Sequence, residues 1–573
     1  MAPISWQRAI LTIFSIFLLN SRHCNATPSK RIIYKFTDCT TEQLQHLPKP
    51  ASVVELSAVT CNISKLPNAF FTRFTALAAL ELRQSGLTIV EDYALNGLDQ
   101  LQWLSLAWNF ITIVKPWTAA PLKSLHTLDL EGNAIRTLNA ESFKSFPNLH
   151  YLSLAANLLE HVDGAAFVHL AHLKHLNLAH NRLNVIESST FRGMQHLAHL
   201  SLQHNFIECI ANDSFVSNAH LRSLHLNGNK LQDLEFLRSK AMMSRLLHLN
   251  LSHNQIKSLD AFTAGEWALI DLDVSHNRLE GVSEDALNGL AALVHLNLSA
   301  NAMQPVASSC LGKLINLETI DLSANNLAEL PMGFFDSTTQ LQRVNLSRNS
   351  LTDVPADLFA HLPYLRVLDM SQNQLSTSIF IAYLSALLPR SALTLDLSEN
   401  HLTRIDTDAM NALYASSGHV ELAGNWWHCK WLIVELVRAP SHIHFGYNYA
   451  LAATWSERLL NVSGIDCYDT ETKRSIVVLD ARRLWERRHG MDDIECTTLV
   501  DPEMPTPPPL LWPRVRMDRF DSRSIIIWML TAIGFAFAGL RIGRQLIDRR
   551  EQAKRLSKKR EMKTDELRTL AAS

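Results

Sequence analysis

Charge of one sign is missing from this chain: 53 Lys and Arg stand against 55 Asp and Glu in 573 residues, a net charge of −2. No face outside the C-terminal tail is forced to be strongly basic, which argues against nucleic acid as the main partner. Local signatures of enzyme chemistry are missing too. There is no H-E-x-x-H, no G-x-S-x-G and no glycine-rich phosphate loop with its lysine. Metal-assisted hydrolysis, serine hydrolysis and nucleotide chemistry therefore have no motif to stand on. The chain is expected not to be an enzyme, to carry no cofactor and to hold no metal. Cysteine is sparse, with eight in all.

What is present is repetition. The stretch Leu173-Lys174-His175-Leu176-Asn177-Leu178-Ala179-His180-Asn181-Arg182-Leu183 has the pattern L-x-x-L-x-L-x-x-N-x-L, which returns down the chain. With Asn181 as the phase mark, the equivalent position falls at 61, 85, 109, 133, 157, 181, 205, 229, 254, 277, 301, 325, 349, 373, 400 and 425. Most intervals are 24 residues, within the range of about 20 to 29 for a leucine-rich repeat. A short period of this kind predicts one elongated solenoid rather than several globular domains. The expected fold class is an α/β leucine-rich-repeat solenoid with a curved parallel β-sheet on its concave face, capped by cysteines and followed by one transmembrane helix.

Each repeat assigns its residues by position. Aliphatic pairs such as Leu128 and Leu130, Leu152 and Leu154, and Ile320 and Leu322 alternate with polar residues, so one face of each strand packs inward and the other lines the concave sheet. The asparagines at 133, 157, 181, 205 and 229 are expected to satisfy backbone groups of neighbouring repeats where the strands end. Ten residues further on, Phe143, Phe167, Phe191, Phe215, Phe335 and Phe359 predict an aromatic spine under the convex side. The interval from Asn373 to Asn400 is longer, and Ser378 to Leu388 reads as helical. Sixteen strands at a spacing of about 4.8 Å give an inner arc of roughly 75 Å, a surface for a macromolecule rather than a small molecule.

The two ends carry different signals. Arg8 followed by the apolar run Ala9 to Leu19 and by Cys24-Asn25-Ala26 reads as a secretory signal over residues 1–26. Its removal takes Cys24 and leaves seven of the eight cysteines. Cys39 and Cys61 flank the first repeat, where a pair closes the open end of the solenoid. This resembles the N-terminal cysteine cap of extracellular leucine-rich-repeat proteins, here residues 27–62, ahead of a solenoid at 63–425. After Asn425, the run Trp426-Trp427-His428-Cys429-Lys430-Trp431-Leu432 resembles the start of their C-terminal cysteine cap, here residues 426–500. That cap usually begins Asn-Pro-Trp with a Cys-x-Cys pair, whereas here Trp426 takes the proline position and Trp431 the second cysteine. By analogy with it Cys429 pairs with Cys467, and Cys496 is left as an alternative partner of Cys429 or as an intermolecular bridge that would link a dimer. A proline-rich stalk follows at 501–523, then an apolar segment from Ser524 to Ile542 long enough to span a bilayer. From Arg541 to Ser573, 11 Lys or Arg face 5 Asp or Glu, so the tail at 543–573 is expected in the cytoplasm. The topology is single-pass type I in the plasma membrane. The tail is too short for a kinase or for the signalling domain of Toll-like receptors.

Several residue sets stand out as candidates for binding. His175, His199, His225, His248 and His295 fall on concave strand positions, and His180, His204, His253 and His276 on the turn before the phase asparagine. Such a row either makes binding pH-dependent or captures a metal, or it is polar filler. Tyr151, His175, Asn177, His199 and His225 are the ligand-binding candidates. Glycan acceptors occur at Asn62, Asn212, Asn250, Asn297, Asn345 and Asn461. Asn250, Asn297 and Asn345 share one concave register, so glycans there would block the second half of the sheet. Cys209 and Cys310 fall off the apolar register, about four repeats or roughly 19 Å apart at strand spacing, beyond disulfide reach, so both are expected to be free thiols.

The order of signal, capped repeats, stalk, span and short tail resembles type I leucine-rich-repeat surface proteins of animals. The Trp-rich, cysteine-reduced C-terminal cap is similar to that of the leucine-rich immune proteins of insects. No coiled coil of convincing length follows the repeats, a departure from the secreted members of that family. The resemblance implies a recognition receptor or co-receptor of innate immunity that binds a protein or a microbial surface. The alternative is a cell-adhesion or matrix-organising protein whose tail only anchors it.

Overall fold

The computed structural model describes residues 32–238, 244–304, 306–384, 393–445, 466–469 and 474–477. They lie in one compact unit, Met1–His489. The expected signal, Asn461, Cys496, the stalk, the apolar segment at 524–542 and the tail lie outside the described residues. Among those described, no helix is long and apolar enough to cross a membrane.

Eighteen strands join in a single sheet. It begins with Ile32–Thr37, which pairs in parallel with Val53–Val59, and each later strand adds to the one before. The repeat strands are three residues long, as in His175–Asn177 and His199–Ser201. Their register advances by one repeat without slipping: Tyr151 faces His175, which faces His199, which faces Ser223. In strands such as His175–Asn177, His199–Ser201 and His248–Asn250 the middle residue is buried and its neighbours are half-exposed, which is the pleat alternation that sends Leu176 and Leu200 into the core and their neighbours onto the concave face.

The solenoid turns its corner at the residue before the phase asparagine. That residue is left-handed in repeat after repeat, with φ of 53° at Ala156, 55° at His180 and His204, 55° at His253 and 53° at His276. The turn sends its amide to the next repeat, as His180 N–H donates to the Gln203 carbonyl at 2.9 Å. The asparagine then seals the corner. Asn181 Nδ2 donates to the carbonyls of Leu154 at 2.9 Å and Leu178 at 3.1 Å, and its Oδ1 accepts from Leu159 N–H at 3.1 Å. The same three-way bonding repeats from Asn133 to Asn425. At position 85 a serine stands in, its hydroxyl donating to the Ala58 and Arg83 carbonyls.

On the convex side the expected aromatic spine is present: Phe143 stacks on Phe167 at 5.9 Å, Phe191 on Phe215 at 5.5 Å, and Phe335 on Phe359 at 5.8 Å. The helical half of the α/β expectation needs correction. Most convex segments are turns, with short 3-10 helices at Glu235–Arg238 and Asp260–Phe262. True helices among the described residues occur where the repeat lengthens, at Ile379–Leu384 and Thr407–Ala415, and in the two caps, at Thr41–Gln45 and Cys429–Arg438. The first of these falls in the segment read as helical.

Both caps are closed by disulfides, Cys39 to Cys61 and Cys429 to Cys467. The second selects between the two pairings that the sequence left open for Cys429. Trp431, standing where a cysteine is usual, fills its place with an aromatic stack on Trp427 at 4.9 Å and an edge contact to Phe445 at 6.2 Å. Cys209 and Cys310 are free thiols, but only Cys209 is exposed. Placing Cys310 off the apolar register was an error: it is 2% exposed and fills the convex core position that Ala166, Ala286 and Leu358 fill elsewhere. Burial pushes its thiol up to about 12.

Candidate functional site

The concave sheet brings the five binding candidates onto adjacent strands. Tyr151 and His175 rings lie 6.2 Å apart, and His175 and His199 stack in parallel at 4.4 Å. One strand further, His225 Nε2 meets the Ser223 hydroxyl at 2.9 Å. Asn177 is tied into the scaffold, its Oδ1 accepting from Ala179 N–H at 3.1 Å. His199 Nδ1 and Gln203 Oε1 are buried without a hydrogen-bond partner among the described residues.

Packing sets the protonation of this row. Burial, reinforced by the neighbouring His199, holds the His175 imidazole down at about 4. Burial also lowers His199, with Arg222 adding to it, and His225, with His248 adding to it. Tyr151 is pushed up to about 12 by burial and by the charges of Asp129 and Glu131. These three histidines are therefore neutral near pH 7, and their charging moves to more acidic conditions than the ordinary histidine range.

The histidines of the turn column have a structural reason. Left-handed backbone is disfavoured for most side chains and admits histidine more readily than branched ones. Successive rings then stack, His180 on His204 at 4.5 Å and His253 on His276 at 4.0 Å.

Further along, the concave face opens into a shallow groove of about 810 Å³ lined by strands from His199 to Asp369. Its floor carries both signs of charge. Asp271 bridges its neighbours, bonding to His248 Nδ1 and lying 3.7 Å from His295 Nε2, while His295 Nδ1 meets the Thr319 hydroxyl at 2.8 Å. Arg343 lines the same groove. The histidine pattern marks His248 and His295 but not Asp271 and Arg343, although these share the same offset from the phase asparagine and so face the concave side.

Asn250, Asn297 and Asn345 line this groove and are half-buried. Each Oδ1 accepts from the amide and hydroxyl of the serine two residues on, at 2.9 and 2.8 Å for Asn250 with Ser252, 3.0 and 2.8 Å for Asn297 with Ser299, and 3.0 and 2.8 Å for Asn345 with Ser347. Asp369 and Asp396 make the same pair of bonds to Ser371 and Ser398. The tripeptide Asn-Leu-Ser thus doubles as a side-chain turn in which Asp serves equally. Asn62 and Asn212 are exposed.

With this geometry in view, the family described as "Leucine rich repeat" matches residues 123–183, 172–231 and 315–375, and "Leucine Rich repeats (2 copies)" matches 219–264. Residues 123–264 and 315–375 are leucine-rich repeats. Solved leucine-rich-repeat structures share its fold. The Leptospira interrogans LRR protein LIC12759 is 22% identical over 67% of this chain and 94% of that one, with a TM-score of 0.54. Toll, in the Drosophila Toll–Spatzle complex, is 22% identical over 72% of this chain and 56% of that one, with a TM-score of 0.59. The APL1 leucine-rich-repeat domain is 19% identical over 72% of this chain and 91% of that one, at a TM-score of 0.45. No curated protein matches the chain significantly.

Proposed function

We propose that the chain is a cell-surface recognition receptor or co-receptor whose concave leucine-rich-repeat face binds a protein or a microbial-surface ligand. The observation that carries this reading is the groove between His199 and Asp369, where the half-buried His225 and Asp271 and the exposed His295 and Arg343 present donors, acceptors and charge across adjacent strands. A row of rigid strands holding polar groups at fixed spacing suits an extended macromolecular surface, with specificity written in the side chains on either side of each buried leucine. Type I anchoring through residues 524–542 and a role in innate immunity belong to the same proposal. They rest on the apolar segment and on the Trp-rich cap.

Affinity capture tests it, using immobilised residues 27–510 beside the same protein with Asp271→Ala, His295→Ala and Arg343→Ala combined. The expected result is a ligand retained by the first and lost by the second. Retention of the same set by both would overturn the concave groove as the binding face. Exchanging the tail for an unrelated anchor then separates signalling from adhesion, since adhesion survives the exchange.

A further inference from the structure

We propose that His419, Glu421 and His444 form a zinc-binding site at the C-terminal edge of the concave sheet. The strands Val420–Glu421 and Ile443–His444 pair in parallel with Glu421 opposite His444. His419, two residues before Glu421, faces the same side of the pleat. One ligand atom from each residue lies within 4.8 Å of the others. Glu421 Oε2 is 3.6 Å from His444 Nδ1 and 3.9 Å from His419 Nε2. Ligands at about 2.0 to 2.1 Å around tetrahedral zinc stand roughly 3.3 Å apart. The Glu421–His444 separation is already close to this, and His419, the exposed member of the set, has the wider 3.9 Å gap to close.

The surroundings prepare these atoms. His444 Nε2 donates to the Ser441 carbonyl at 2.9 Å, which fixes the ring, the outer-shell arrangement that metal-ligating histidines use. Glu421 Oε1 accepts from Ala423 N–H at 3.3 Å, which holds the carboxylate while Oε2 turns to both imidazoles. Two nitrogens and one oxygen favour zinc and its neighbours over calcium or magnesium, which want oxygen alone.

Charge points the same way. Asp369, Asp396 and Glu421 occupy consecutive strands in register, an uninterrupted column of carboxylates. A cation at the end of that column relieves the repulsion. It would also clamp the first strand of the cap to the last repeat, with a fourth coordination position left for water. The His248–Asp271–His295 set differs, because its carboxylate already bonds directly to His248.

The experiment uses the full-length protein, freed of metal with a chelator and titrated with Zn²⁺, and with Co²⁺ as an optical probe. One ion per chain is expected to bind more tightly than the background from the other histidines, with the absorption of tetrahedral cobalt and a rise in Tm. His419→Ala and Glu421→Gln are each expected to weaken that ion by at least about tenfold and to remove the rise in Tm, while the metal-free Tm stays near wild type. His248→Ala should change neither. A tight ion that survives both substitutions, or a wild type that binds no ion more tightly than His419→Ala does, would overturn the site.

Discussion

At the scale of the residue, the phase asparagine is the most constrained position in the chain. Asn181 satisfies two buried carbonyls and one buried amide at once. Alanine there removes all three bonds: the Leu154 and Leu178 carbonyls keep the amides of Asn157 and Asn205, while the buried Leu159 N–H loses its acceptor. Asn181→Ala is expected to cost about 3 kcal/mol, at roughly 1 kcal/mol per lost bond, read as a lower midpoint in urea unfolding. A change under about 0.5 kcal/mol, the size of an ordinary surface substitution, would show that the ladder is dispensable. The neighbouring turn residue is governed by backbone instead. Its left-handed φ explains why His, Ala and Gly recur there, a reason that spacing alone did not reveal. The Asn-Leu-Ser tripeptides carry two legible meanings, glycan acceptor and side-chain turn. The second could have been found by noticing that Asp alternates with Asn at that register.

At the scale of the element, the caps are where this solenoid departs from simple repetition. A strand with no neighbour exposes both its hydrogen-bonding edge and its core, so the first strands need a separate closure. Cys39 and Cys61, 22 residues apart, provide it by restricting the unfolded chain, worth about 3 kcal/mol for a loop near this length. Replacing both by serine is expected to loosen the N-terminal repeats first, seen as faster amide exchange over residues 32–66 than over the central strands. Uniform exchange across the solenoid would contradict this. In the C-terminal cap, Trp427, Trp431 and Phe445 form an aromatic cluster at the place where the usual pattern has a second disulfide. The sequence marked the missing cysteine. Only the packing showed what replaced it.

For the solenoid as a whole, the histidines act in sum. His150, His175, His199, His204, His225 and His253 are all lowered, with burial the first cause in each. Below about pH 6.5 the unfolded chain takes up protons that the folded one refuses. Stability from these groups is therefore complete above about pH 6.5 and falls as the pH drops toward the His175 value of about 4. Asp129, Glu131 and Asp396, raised by burial, oppose the trend at the acidic end, since they take up protons more readily folded than unfolded. Tm should decrease between pH 6.5 and 5.5, and His175→Gln should make that decrease smaller. A flat Tm over that interval would rule out the coupling. The same shifts move pH-dependent binding by His175 below the interval of about 5.5 to 7.4 in which an unperturbed histidine row would act, and displace that by His199 and His225 toward more acidic conditions.

The sequence by itself determined the solenoid, because a 24-residue period fixes which residues are buried, which turn the corner and which face the concave side, and each of these depends only on neighbours one repeat away. It also determined that the sheet is parallel and that Cys39 and Cys61 close its start. What the tertiary structure decided are contacts between residues that share a strand position but not a motif. The partner of Cys429, the burial of Cys310, the Asp271 bridge and the meeting of His444 with Glu421 depend on side-chain direction and packing across strands, which periodicity leaves free.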